Sequence, residues 1–157
     1  MSQQKNSAVI YKEEGQSFWQ PKHTQGYITI KVSPWNVPSA KNTLFFQEIP
    51  PGGVIRTHYH ETDDEIFICS AGEGVMTLDG VEHPFLPETV IYVGHGVVHS
   101  LCAVGDQPLK MIVSVSSTGL EERLKQMGKP RISGELPPGP FESGALSESH
   151  GVRRDGE

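Results

Sequence analysis

Two histidines one residue apart, His58 and His60, followed by Glu65, are the side chains whose types and spacing suit metal chemistry. On an extended segment residues i and i+2 share a face, so both imidazoles can address one point in space. Glu61 to Asp64 suits a connection, with Asp63 and Asp64 as solvated charges, and Glu65 opens a β-branched and aromatic run through Cys69. A hairpin of this kind would return Glu65 opposite the two histidines. His99, in Gly94-His95-Gly96-Val97-Val98-His99, is a fourth candidate. Three imidazoles and one carboxylate suit a borderline divalent ion such as iron, manganese, nickel or zinc. Four protein ligands on an octahedral ion leave two positions for water, substrate or dioxygen. The net charge near +1 in that shell favours an enolate, catecholate or carboxylate. Oxidative chemistry and redox-neutral Lewis-acid chemistry both remain open on this ligand set.

The elements that must hold these residues read as short strands. Tyr27 to Val32 alternates, Asn42 to Ile49 follows and ends at Pro50-Pro51-Gly52-Gly53, and Val75 to Leu78 is closed by the hairpin signal Asp79-Gly80. Thr89 to Val93, His99 to Val104 and Leu109 to Val115 complete the set, while His83 before Pro84 reads as loop. Short strands with Gly and Pro turns indicate an antiparallel sandwich or barrel. Leu120 to Met127 is the one convincing helix, with apolar residues at i, i+4 and i+7, early acids, late bases and Gly128 as a stop. The expected organisation is an N-terminal arm over 1–26, a barrel over 27–117, a helix over 118–128, and an extended or disordered Pro/Gly-rich tail over 129–157.

The 157 residues allow one domain with a sizeable core, and the net charge of −6 argues against nucleic acid or an anionic membrane surface as main partner. No apolar run is long enough to span a bilayer and the first residues are polar, so a cytoplasmic protein is expected. Cys69 and Cys102, the two cysteines, read as reduced buried thiols.

The spacing Gly52, His58, His60, Glu65, Gly72 resembles the first motif of the cupin superfamily at every defining position. Gly96 and His99 match the second motif, while Glu88, Gly94 and Ala103 stand where Gly, Pro and Asn are usual. The resemblance covers about residues 40 to 116 and implies an all-β jelly-roll barrel with the metal inside, held by His58, His60, Glu65 and His99. It is similar to single-domain cupins of the quercetin-dioxygenase-like kind. That implies one Fe²⁺ per chain (Mn²⁺, Ni²⁺ or Zn²⁺ being alternatives) and dioxygenase chemistry on a small enol, catechol or diketone. A redox-neutral isomerase, lyase or decarboxylase and a non-catalytic binding cupin are the other readings. Glu65 is the candidate catalytic base, with Glu48 as a second possibility. Arg56 is the candidate anchor for an anionic substrate, and Phe67 and Met76 are candidate pocket residues. His95 reads as a solvent-facing turn residue. An open sheet edge favours association, so a homodimer is expected, with residues 1–26 or the tail reaching across.

Overall fold

The computed structural model describes residues 6–147 and 149–154. The strands are β1 (Gln16–Trp19), β2 (Tyr27–Val32), β3 (Thr43–Ile49), β4 (Val54–His60), β5 (Glu65–Ala71), β6 (Glu73–Leu78), β7 (Val81–Phe85), β8 (Val90–Val93), β9 (His99–Val104) and β10 (Leu109–Val115). Helix α1 (Leu120–Met127) follows, then β11 (Lys129–Arg131) and β12 (Val152–Arg154). They form two antiparallel sheets, ordered β11-β1-β2-β3-β10-β5-β8 and β12-β4-β9-β6-β7. This is the expected jelly-roll arrangement with one short helix.

Alternation explains which face each strand buries. In β10, Leu109, Met111, Val113 and Val115 are wholly buried, and in β9, His99, Leu101 and Ala103 face inward. With Phe45, Phe67, Met76 and Phe85 they fill the space between the sheets. Each such side chain contributes roughly 1.5–3 kcal/mol. The same parity turns Cys102 outward, so it is exposed rather than buried, whereas Cys69 is buried. Gly72, where the chain leaves one sheet for the other, has φ +73, and a Cβ there would lie 2.2 Å from the Pro108 carbonyl oxygen. Only glycine fits that turn. Asp79 and Gly80 both take positive φ, as a tight two-residue hairpin requires.

Three sequence expectations are corrected by the fold. β4 and β5 are not hairpin partners: β5 pairs with β8 and β10, β4 with β9 and β12, and Glu65 meets the histidines across the space between the sheets. His83 and Pro84 belong to β7, an edge strand where a residue lacking an amide hydrogen is tolerated. The stretch after Gly128, read as a tail, supplies two strands. Their order comes from the open edges of β1 and β4, not from any period of their own, which left no signal in the sequence. The expected calls on residues 1–5, 148 and 155–157 lie outside the described residues.

Both flanking segments return to this chain's own barrel. The arm inserts Phe18 and Trp19 into the interior and leaves Tyr11 exposed. The buried Lys31 ammonium donates to the carbonyls of Tyr11, Lys12 and Glu14 at 2.7–3.0 Å, so its charge is fully engaged. Trp19 Nε1 donates to Glu135 at 2.7 Å, tying arm to tail. In α1, Glu121 accepts from Thr43 Oγ1 at 2.7 Å and from the Gly119 amide at 2.8 Å, which fixes the helix start against β3.

Candidate metal centre

His58 and His60 come from the end of β4, His99 from the start of β9 and Glu65 from the start of β5, so both sheets contribute. One donor atom from each of these four residues lies within 4.8 Å of the others. Two ligands each about 2.0–2.2 Å from an ion stand no more than about 4.4 Å apart, so binding needs a contraction of only a few tenths of an ångström. Glu65, His60 and His99 are 3%, 4% and 2% exposed, and His58 is half-buried.

Backbone carbonyls set the orientation of two of the rings. His58 Nδ1 lies 2.7 Å from the Arg56 carbonyl oxygen and His99 Nδ1 2.8 Å from that of Val97. A carbonyl oxygen only accepts, so each Nδ1 carries the hydrogen and each Nε2 lone pair points inward. His60 Nε2 is 2.7 Å and His99 Nε2 3.2 Å from Glu65 Oε1. Those separations are short, yet none of these three atoms has a hydrogen bond of acceptable alignment. Buried atoms that lack a well-aligned hydrogen bond are thus gathered with a ligand atom of His58 into one small space. Buried polar atoms are ordinarily satisfied, and a cation there satisfies all of them. The donor set therefore fits a divalent ion.

Electrostatics keep His58 and Glu65 in metal-binding form, while His99 is pulled the other way. Burial, and then the neighbouring His99, push the His58 pKa down to about 3, so its ring is neutral. Burial acts to raise the Glu65 pKa, but the adjacent His60 and His99 outweigh it and hold the carboxyl at about 2. Burial acts to lower the His99 pKa, and the Glu65 carboxylate more than reverses this.

His58, His60 and Glu65 open onto a cavity of about 210 Å³. Phe67 lines it, and Arg56 stands exposed on its wall. Met76 is wholly buried in the core and does not reach the cavity, because β6 packs against β7 and β9 away from the opening. Gln47, not Glu48, faces inward from β3; Glu48 lies on the opposite face beside Tyr27. His95 is exposed in its turn, with both its amide and Nδ1 within 2.9 Å of Asp64 Oδ1. Asp63 is buried and not solvated, since the Ser117 hydroxyl donates to it where the chain folds back from β10. Cys69 keeps its thiol: burial raises its pKa, and Sγ sits 3.6 Å from the Ala71 carbonyl oxygen.

Sequence reasoning missed part of the wall. The face of α1 carrying Leu120, Arg123, Leu124 and Met127 lines the cavity, and so do Val152 and Arg154 of β12. The i, i+3, i+4, i+7 spacing in α1 was a usable signal, whereas three residues of β12 carried none.

Residues 45–115 match the family profile described as Cupin domain, a segment that contains all four candidate ligands. An uncharacterised protein of Methanocaldococcus jannaschii is 31% identical over 72 residues, 46% of this chain and 58% of that protein. The oxalate-binding protein of Thermotoga maritima is 29% identical over 68 residues, 43% of this chain and 56% of its own length. The chain thus spans little more than half the length of these curated relatives. Among solved structures, a predicted oxalate decarboxylase of Thermotoga maritima superposes with TM-score 0.59 at 21% identity, covering 70% of this chain and 99% of that one. KdgF from a Halomonas species gives TM-score 0.59 at 16% identity, covering 73% and 99%. At such identities the likeness shows the fold alone.

Proposed function

We propose that this chain, whose matched segment and fold neighbours support the cupin superfamily, is a metal-dependent enzyme acting on a small anionic or enolisable molecule. One observation carries the reading: side chains from three strands gather metal-type donor atoms, buried ones without well-aligned hydrogen bonds among them, within 4.8 Å of one another beside a small cavity. A divalent ion held by His58, His60, Glu65 and His99 supplies open coordination positions and Lewis acidity. Within that reading Fe²⁺ and dioxygenase chemistry on an enol, catechol or diketone are our first assignment. The chain's own residues bind and orient: Phe67 packs against the substrate, Arg56 pairs with its negative charge, and Glu65 serves as base once it swings off the ion. The cavity lies below the roughly 300–1,000 Å³ usual for drug-sized ligands, which favours small molecules over flavonols.

The redox-neutral alternative draws support from the relatives whose names refer to oxalate binding and oxalate decarboxylation. The test is elemental analysis of protein from its native host, then oxygen uptake over a panel of catechols, diketones and small keto acids. Turnover that continues without oxygen removes the dioxygenase assignment; tight binding with no product favours a non-catalytic cupin. We also propose a cytoplasmic homodimer. Among described residues Phe46, Ile66, Val90 and Tyr92 are exposed on the outer face of the larger sheet, a surface suited to a second copy.

A further inference from the structure

We infer that the metal cavity has a neutral polar end, formed by the carboxamides of Gln47 and Gln20, which receives an uncharged hydrogen-bonding group of the substrate. The inference deepens the functional reading above and rests on it. The substrate is then a metal chelator that carries an amide, hydroxyl or carbonyl at its far end.

Gln47 is 5% exposed on β3, in a row whose other inward residues are Thr43, Phe45 and Ile49. A carboxamide has two donor hydrogens and an acceptor oxygen, and leaving them unpaired in a protein interior is costly. Other buried polar side chains are accounted for. Thr43 donates to Glu121, the Lys31 ammonium to three carbonyls, and Asp63 accepts from Ser117. The Gln47 side chain makes no hydrogen bond among the described residues, yet its oxygen and nitrogen are not sealed in. They meet the open space of the cavity that Gln47 lines together with His58, His60 and Glu65. Gln20, equally buried on the same cavity, has one long contact, from Nε2 to the Phe18 carbonyl at 3.4 Å. Its Oε1 accepts nothing among the described residues.

Strand register sets Gln47 apart from the ligands. Along β10, Val115 stands between Glu65 and Thr43, Val113 between Phe67 and Phe45, and Met111 between Cys69 and Gln47. Gln47 is thus four residues along the sheet from the row of Glu65, roughly 13 Å. A coordination bond of about 2 Å and a hydrogen bond of about 3 Å leave a span of roughly 8 Å for a substrate. Phe45 and Phe67 fill the row between, so the middle of the cavity is apolar. Gln20 comes to the same end as Gln47. Its amide donates to the Gly26 carbonyl at 2.9 Å, and Ile28, two residues further on, is opposite Gln47. A carboxamide donates, accepts and carries no charge, so it pairs best with a group that does the same.

The test uses the full chain loaded with Ni²⁺ in the absence of air, titrated calorimetrically with 3,4-dihydroxyphenylacetamide and with 4-isobutylcatechol. The two share the catechol chelate and a branched outline, and differ in whether the far end forms hydrogen bonds. The wild type should bind the amide about fivefold or more tightly, as expected of neutral hydrogen bonds. Gln47→Met, which keeps the length and removes the carboxamide, should bring the two affinities together or reverse their order. Gln47→Glu, an acceptor without donors, should shift preference from the amide to the ammonium of dopamine, which a merely structural side chain would not do. Gln20→Met should narrow the ratio as well, and decides the matter with the wild type where Gln47→Met does not fold. A wild type that binds the two catechols equally or binds neither, or an amide preference that survives the substitutions to Met, overturns the inference alone. A protein that takes up no nickel overturns the functional reading and this inference with it.

Discussion

Glu65→Gln separates a metal centre from a satisfied polar core. The substitution keeps the size of a side chain that is 3% exposed and removes only its charge and its strongest donor. For a ligand that binds only the folded state, stabilisation is RT ln(1 + [L]/Kd), or about 2.7 kcal/mol at a free metal concentration of 100 Kd. In a domain of this size about 1 kcal/mol moves Tm by roughly 2–4 °C, so the wild type should gain roughly 5–11 °C. Loss of an outer-shell partner alone costs about 10–100-fold in metal affinity, so loss of a direct ligand should cost at least about 100-fold. At the same metal concentration the variant then sits near its own Kd, where the gain is only about 0.4 kcal/mol, or about 1 °C. The assay is a thermal melt of chelator-stripped protein with and without Fe²⁺ (anaerobic) or Ni²⁺, alongside metal content by elemental analysis. His95→Gln, at an exposed turn, is the control and should keep the full shift. A Glu65→Gln variant that gains as much as the wild type, or a wild type that gains nothing, refutes the reasoning.

Other expectations follow from the same geometry. The folded-state pKa of His58 is lowered, so the unfolded chain takes up a proton there before the folded one does, and stability is lost through this group as pH drops. Metal-free wild type should therefore lose ground to His58→Gln as pH drops from about 6.5 towards about 3; parallel denaturation curves would contradict this. Gly72→Ala should cost at least about 2 kcal/mol, because left-handed backbone and a Cβ 2.2 Å from a carbonyl oxygen act together; chemical denaturation measures it, and a neutral variant argues against the turn. Val152→Asp, placing a charge at a buried position beside His60, should destabilise by a few kcal/mol and weaken metal retention, read by urea melts and dialysis; unchanged metal retention would show that β12 is dispensable to the site. Light scattering should give the mass of two chains, and a monomer mass removes the proposed dimer.

The sequence was most legible where local chemistry and local geometry coincide. His58 and His60 shared a face because side chains alternate, and Asp79-Gly80 marked its own turn. The partner of Glu65 was misjudged for a physical reason: chain proximity suggested a hairpin, whereas the sheet crossing after His60 sends β5 to the opposite layer. Asp63 looked solvated because its satisfying hydroxyl, Ser117, lies 54 positions on. Arg154 was invisible because its strand is ordered by the backbone of β4, and a template carries no trace in the sequence it orders.

Four strands lie at the margins of the two sheets: β11 and β8 in one, β12 and β7 in the other. Pro130 sits in β11 and Pro84 in β7, so two of these margins have a gap in their row of amide donors. A neighbouring molecule attempting to extend either sheet there would find its ladder interrupted at once. Ribbon-like polymerisation is thus blunted at both places, which leaves the margins at β12 and at β8, whose Val90 and Tyr92 are exposed. The same pyrrolidine rings that look like interruptions in the linear text act, on the folded surface, as a safeguard against fibre growth.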